Sequence, residues 1–350
     1  MNLSNKSPIF IFGTGSFGRD TAKALQINGY NVRGFISNTE TSSDINKLPV
    51  YSWKGLQGHA DIQVLIAVFN PDHALPLFLK EAENYGYKNV FLPWDYYGHI
   101  ENNMGWRFWL KGKDFLSIYQ KQLDDVIPLL EDDISRDCLS NVFRFRSGNF
   151  LDYGKFNHKE RQYFNELTLN SKKEITGYLD IGAFHGENLI ELETQLPVKM
   201  AMLLEPDRHN FKELTKNNKN FTSQSVHLLP VAGSDQNRFV SFNDTGSGSS
   251  GIAPNGKDKI LCVRLDDVVP SSEKIDFIKM DVEGEELSVL MGAKNLINVN
   301  RPTLAISLYH NWDDLWNIPK YLHKTHHGYS LFVRQHMNNS FDLVLYAVPK

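Results

Sequence analysis

Cysteine is almost missing from this 350-residue chain: there are two, Cys138 and Cys262, far apart and with no partner spacing. That argues against a disulfide framework and against a zinc site, and it fits a reducing compartment, which is expected to be the cytoplasm. Long apolar runs are also lacking. None approaches the roughly 20 residues that a membrane helix needs. The polar start, Met1 to Pro8, has no basic stretch before an apolar one, so neither a secretory signal nor membrane insertion is expected. Positive charge is not in excess. The 37 Lys and Arg against 41 Asp and Glu give a formal net charge of -4, which does not favour a nucleic-acid or anionic-membrane partner.

What is present suits a globular protein of two domains: 41% hydrophobic and 22% charged residues. Strand-like apolar runs and helical stretches alternate from residue 8 to about 98. Strands are predicted at Pro8–Phe12, Val32–Ser37, Ile62–Phe69 and Asn89–Leu92, with helices at Phe17–Asn28 and Pro71–Tyr85. Residues 99 to about 170 lose the strand signal. Helices are predicted at Trp106–Leu130, Glu131–Phe145 and Lys159–Leu169. From Gly177 the alternation returns, with strands at Gly177–Ile181, Met200–Glu205, Ser225–Val231, Phe277–Asp281 and Thr303–Tyr309. A last pair, Tyr329–Arg334 and Leu343–Ala347, is joined by the polar turn Met337–Ser340 and reads as a hairpin with one antiparallel strand. Thr245–Gly251 reads as a mobile loop. The expected fold is α/β: two Rossmann-like domains, 1–98 and 171–350, joined by a helical connector, 99–170.

The second domain carries the stronger motifs. Tyr178-Leu-Asp-Ile-Gly-Ala-Phe-His-Gly-Glu187 ends a strand in an acid, then turns on two glycines into a helix. Glycine lets a ligand approach the backbone closely. Asp180, Gly182, Ala183 and Gly186 are therefore candidate cofactor contacts. Glu205 closes the next strand about 20 residues on, where a carboxylate can take both hydroxyls of a ribose. The third strand runs out at Ser234-Asp235, and either residue could meet an adenine. The turn is not the G-x-G-x-x-G that presses a helix onto a pyrophosphate, which favours S-adenosylmethionine (SAM) over NAD. Five parallel strands and a terminal hairpin make the seven-stranded sheet of class I methyltransferases.

The fourth strand, Ile275-Asp-Phe-Ile-Lys-Met-Asp-Val-Glu-Gly284, puts Lys279, Asp281 and Glu283 in period-two alternation. His310 ends the fifth. Methyl transfer to an alcohol needs a base for the hydroxyl proton. Asp281 and His310 are the candidates, and Lys279 would orient a carboxylate or a substrate oxygen. Glu283 reads as an acid at a helix N-terminus. No metal is expected.

Residues 178–310 resemble the FkbM family of methyltransferases. The similar pieces are the 178–187 motif, Glu205-Pro206, the K-x-D-x-E-G of 279–284 with Gly292-Ala293, Arg301-Pro302 leading to His310, and the preceding Arg161-Gln-Tyr-Phe164. The resemblance implies SAM-dependent O-methylation, often of sugars or natural products, with Asp180, Gly182 and Glu205 as cofactor contacts. Family members more often carry an acid two residues before the histidine, where this chain has Leu308, so the acceptor side departs from the pattern. A sugar or glycan-precursor acceptor, free or nucleotide-linked, would place the enzyme in surface polysaccharide biosynthesis, and a homo-oligomer is compatible with the sequence.

In the first domain, Gly13-Thr-Gly-Ser-Phe-Gly18 follows a strand and opens a helix, the setting of a phosphate-binding turn. The next strand lacks the acid that a dinucleotide ribose wants; Glu40 is near it but in the loop. The domain resembles the nucleotide-sugar-binding domain of bacterial sugar acyltransferases. Three readings stay open: Gly13, Gly15 and Gly18 hold a phosphate-bearing ligand, serve an NAD(P) enzyme, or only let a helix pack closely. His323, His326 and His327 lack a further metal ligand. Trp106, Trp109, Trp312 and Trp316 read as core or interface. A non-catalytic SAM-binding scaffold protein is the alternative to an enzyme.

Overall fold

The computed structural model describes residues 3–39, 44–56, 61–104, 110–149, 160–170, 172–243, 251–252, 256 and 258–350. Trp106, Trp109, Glu40, the start of the Lys159 helix and most of the Thr245–Gly251 loop lie outside them. The chain forms two compact units. One comprises Met1–Asp124, Asp137–Asn157 and Met337–Phe341; the other Asp125–Arg136, His158–His336 and Asp342–Lys350. Residues 99–170 are thus divided between the two.

The first unit is built on a parallel five-stranded sheet: β1 (Ile9–Phe12), β2 (Val32–Ile36), β3 (Val50–Tyr51), β4 (Gln63–Ile66) and β5 (Val90–Phe91), in the order β3-β2-β1-β4-β5. Central parallel strands are covered on both faces and so read as unbroken apolar runs. The Ile-Phe-Ile-Phe of β1 is buried throughout. The short β3 carries no such run and was not predicted. The helix Ser16–Ile27 follows the glycine turn. A Cβ on Gly18 would stand 2.1 Å from the Gly13 carbonyl oxygen, and one on Gly13 would stand 2.7 Å from that of Ala67. Both glycines are therefore required by close helix–strand packing. Gly15 has open space where its Cβ would be.

The second unit holds a seven-stranded sheet and a smaller one. In chain order the strands are β6 (Ile175–Ile181), β7 (Val198–Leu204), β8 (Ser225–Leu229), β9 (Ala232–Gly233), β10 (Arg238–Asn243), β11 (Gly251–Ile252), β12 (Asp258–Val263), β13 (Phe277–Met280), β14 (Thr303–Ser307), β15 (Tyr329–Gln335) and β16 (Leu343–Pro349). The large sheet runs β15-β16-β14-β13-β6-β7-β8. Its β16 is antiparallel to both β14 and β15, and the other pairings are parallel. Phe164, Ile175, Tyr178, Leu203, Phe277 and Tyr346 pack into its core. Among the described residues, no helix is long and apolar enough to cross a membrane.

Several local expectations need correction. The strands β9 to β12 form a four-stranded sheet, order β11-β10-β12-β9, that the sequence reading missed. Its core is small, Phe242, Ile260 and Cys262, and the outer residues of β10 are exposed, so no clean alternation marks it. Of the Trp106–Leu130 prediction, the described residues form a helix at Phe115–Val126, which gives way to a 3₁₀ turn containing Pro128. Of Lys159–Leu169, only Glu166–Leu169 is helical among the described residues. Tyr163 has φ +63°, which breaks the helix, and Asn165 caps the short one that follows. The single helix that Glu283 was expected to open is two, Glu286–Gly292 and Lys294–Asn300, interrupted at Ala293.

Gly18→Ala is expected to cost about 1–3 kcal/mol, as over-packing does. Gly15→Ser should change stability by no more than about 0.5 kcal/mol. Urea denaturation of both variants checks this, and equal losses would contradict the packing account.

Candidate active site

The strands β6, β7 and β13 stop side by side, and their C-terminal ends border a cavity of about 370 Å³. Ligands of open α/β sheets bind at such ends. Gly182 begins the turn after β6. Its φ is +81°, and a Cβ there would come within 1.9 Å of the Asp281 carbonyl oxygen. Only glycine fits, because the β6 turn and the end of β13 are pressed together.

Glu205 lies at the tip of β7 and is 6% exposed. Its Oε2 accepts the Phe184 N–H at 2.9 Å and its Oε1 the Asp207 N–H at 2.9 Å. Each carboxylate oxygen keeps a second lone pair, so the fixed carboxylate can still accept two hydroxyls. Burial pushes Glu205 up to about 7 against the pull of those two amides.

Asp180 is placed otherwise than expected. It is fully buried and does not line the cavity. Its partners are Lys279 Nζ at 3.1 Å and the Tyr178 hydroxyl, which donates at 3.0 Å. Burial alone would lower Lys279, but Asp180, Asp281 and Glu205 hold it above its ordinary value. Lys279 also donates to the Gly182 carbonyl at 2.7 Å. The lysine therefore ties the acid of β6, the glycine turn and β13 into one piece. Ala183 and Gly186 are likewise off the cavity wall: Ala183 is buried, and Gly186 packs against Phe221 and Leu214.

The third wall comes from Val231, Ala232 and Gly233 rather than from Ser234 and Asp235. Ser234 is fully buried and donates to Asp235 at 3.2 Å. Phe242, on the unpredicted small sheet, completes that side. Gly13, Gly15 and Gly18 belong to the other unit.

At the far end stands Asp281. β13 stops at Met280, and Glu283 and Gly284 both have positive φ, +53° and +101°. Glu283 is therefore neither in strand alternation with Lys279 nor at a helix start, which comes at Glu286. It turns toward His310 instead, with its Oε1 3.6 Å from Nε2. Asp281 Oδ2 accepts from the Tyr163 hydroxyl at 3.0 Å, and Oδ1 accepts from Tyr309 at 3.4 Å. Burial opposes its charge, yet Lys279, His310 and Tyr163 hold Asp281 below the usual carboxylate range. His310 is fully buried, and its Nδ1 meets Glu286 Oε1 at 2.7 Å. Burial would lower the imidazole, but Glu286 and Glu283 raise it well above its ordinary value.

Residues 180–337 match the family described as the Methyltransferase FkbM domain. This segment is an FkbM methyltransferase domain. Across nearly the whole chain, the fold is that of the crystal structure of methyltransferase FkbM from Methylobacillus flagellatus KT: 21% identity, TM-score 0.78, covering 98% of this chain and 90% of that one. A precorrin-6y C5,15-methyltransferase from Geobacter metallireducens GS-15 is 17% identical over 57% of this chain and 97% of its own. Its TM-score of 0.34 adds nothing to the assignment. No curated protein matches the chain.

The walls of the cavity are acidic. Glu187, Glu205, Asp281, Glu283, Glu285 and Asp342 face one cation, Lys279. Such a field attracts cationic or neutral polar ligands and repels a pyrophosphate. Tyr163, Tyr309 and Asp342 were not among the residues predicted. Tyr163 lies just before β6, and its neighbours Arg161–Phe164 had been noted only as part of a resemblance.

The raised Glu205 gives a signed pH effect. Its folded value, about 7, lies above the ordinary 4.5, so the folded state holds the extra proton between those limits. The Glu205 contribution to stability is then most favourable below pH 4.5 and is lost as pH rises through 7, by roughly 3 kcal/mol. Glu205→Gln should remove that slope. Urea midpoints of the two proteins at pH 5 and pH 8 test it, and parallel slopes would contradict it.

Proposed function

We propose that the protein is a SAM-dependent O-methyltransferase whose acceptor is a hydroxyl of a sugar or glycan precursor. The reading is supported above all by the pairing of a ribose-type acid, Glu205, with an ionised Asp281 at the other end of one acidic cavity. When bound, SAM supplies an electrophilic methyl group on a sulfonium sulfur. Glu205 would accept the two ribose hydroxyls. Val231, Ala232, Gly233 and Phe242 offer the apolar walls that an adenine needs. The surrounding carboxylates suit the ammonium and sulfonium charges, and the orphaned lone pairs of Glu205 and the open Gly182 turn fit the same ligand.

The acceptor hydroxyl would sit against Asp281. Its oxygen gains the methyl as the carbon–sulfur bond breaks, and its proton passes to the Asp281 carboxylate. Asp281 suits that role better than His310, which its glutamates keep protonated and which therefore has no lone pair to offer. The tyrosines at Asp281 hold the carboxylate in place. Nothing in this reading assigns a ligand to the first unit, since packing accounts for two of its three turn glycines.

Incubation with methyl-labelled SAM and a panel of sugars and nucleotide sugars tests the proposal. Label is expected in an alkali-stable ether on the sugar. Asp281→Asn should lower kcat by about 100-fold or more, as loss of a proton acceptor does, with SAM affinity kept within a few fold. Label on no sugar despite tight SAM binding would sink the sugar reading, and full turnover by the variant would remove Asp281 from it.

A further inference from the structure

Asp342 stands at a bend: its φ is +49°, and it leads directly into β16. The His336 N–H donates to its carbonyl at 3.1 Å, which fixes its backbone. A left-handed residue other than glycine needs such support. Its side chain joins those of Asp281, Glu283 and Tyr309 on the cavity wall. The Tyr309 hydroxyl donates to Asp281 Oδ1 at 3.4 Å and also hydrogen-bonds Asp342. A phenol has one proton to give, so the two carboxylates share it. The other donors of this wall are committed: Tyr163 to Asp281, His310 to Glu286 and Glu283, and Lys279 to Asp180 and the Gly182 carbonyl. Burial and the charge of Asp281 push Asp342 up to about 6, against the pull of His310 and Tyr309. At neutral pH it is thus a half-buried, ionised carboxylate that, among the described residues, is short of donors.

We propose that Asp342 sets the acceptor class: its carboxylate accepts a hydrogen bond from a second hydroxyl of the acceptor while the first hydroxyl faces Asp281. Both carboxylates reach the one Tyr309 hydroxyl, so they flank a single stretch of wall. A ring with two hydroxyls brings two donors to that stretch at once. An alcohol with one hydroxyl leaves Asp342 desolvated and unmatched, which costs binding. An acceptor with a carboxylate or phosphate beside its hydroxyl meets Asp281, Glu283 and Asp342 and, among the described residues of the wall, no uncommitted cation. The class is therefore an uncharged polyol such as a neutral pyranose, rather than a phenol or a sugar acid. The second hydroxyl keeps its proton, and Asp281 remains the proton acceptor. This rests on the methyl-transfer reading and narrows it.

Full-length protein is incubated with methyl-labelled SAM and a series of probes: methyl glycosides of neutral hexoses, their singly deoxygenated forms, the matching uronic acid glycosides, phenol and cyclohexanol. Label is expected on a neutral glycoside. Removal of one further hydroxyl from it should lower kcat/KM by about 10- to 100-fold, the worth of a hydrogen bond to a charged group. Asp342→Asn should raise KM for the glycoside with SAM affinity kept, and should narrow its preference over the uronate by about tenfold or more. The deoxy series is read on the wild type, so it decides even where the variant does not fold. Equal kcat/KM across the deoxy series, a uronate as the best acceptor, or unchanged selectivity in folded Asp342→Asn overturns the role of Asp342 and leaves methyl transfer standing. Label on phenol or cyclohexanol alone rejects the polyol and the sugar but keeps methyl transfer to oxygen. Label on no probe overturns both readings.

Discussion

One buried ammonium organises the site. Lys279 is 2% exposed, yet among the described residues it is the only cation on a cavity wall that bears six carboxylates. Its three contacts, with Asp180, the Gly182 carbonyl and the face of Tyr163 at 5.5 Å, come from separate stretches of chain. A buried carboxylate left without its partner is costly. The ends of β6 and β13 can therefore not drift apart without exposing Asp180 to that cost. The turn that Gly182 makes, and the position of Asp281 one step past β13, both follow from this constraint.

The same concentration of acid sets a tension between stability and ligand binding. Glu205 is buried with only backbone amides for company, and burial raises it toward neutrality. An apolar residue there would suit the fold better, whereas a ribose needs the carboxylate. At the other end, Asp281 is held ionised by Lys279, two residues before it, and by two groups that share no sequence neighbourhood with it: His310 after the fifth strand of the sheet and Tyr163 before the first. The domain thus spends folding energy at both ends of one cavity, as sites that bind polar ligands generally do.

The large sheet was legible because parallel, doubly covered strands leave long apolar runs, and the terminal hairpin announced itself by a polar turn. Glu205 was legible because it ends such a run at a set distance from a glycine turn. Asp180 looked similar, yet it serves as the counter-charge of Lys279. Strand position gives the end of the side chain's path, and only the neighbour across the sheet decides whether it meets ligand or lysine. The small sheet was hidden because its core is three residues and the first residues of β10, Arg238 and Phe239, are exposed. Glu283 was misplaced because positive φ at two successive residues breaks the alternation, and nothing in the side chains foretells it at Glu283. Glu286 and Tyr163 escaped notice because their roles depend on contacts with His310 and Asp281 that span 24 and 118 positions.

The central claim is that the cavity at the ends of β6, β7 and β13 is a SAM site with Glu205 on the ribose. Calorimetric titration of SAM and of NAD into the wild type and Glu205→Ala tests it most directly. The account predicts one SAM site per chain, no NAD site, and a loss of about tenfold or more in the variant, equivalent to about 1.4 kcal/mol. NAD bound in place of SAM, or SAM bound equally well by the variant, would contradict it.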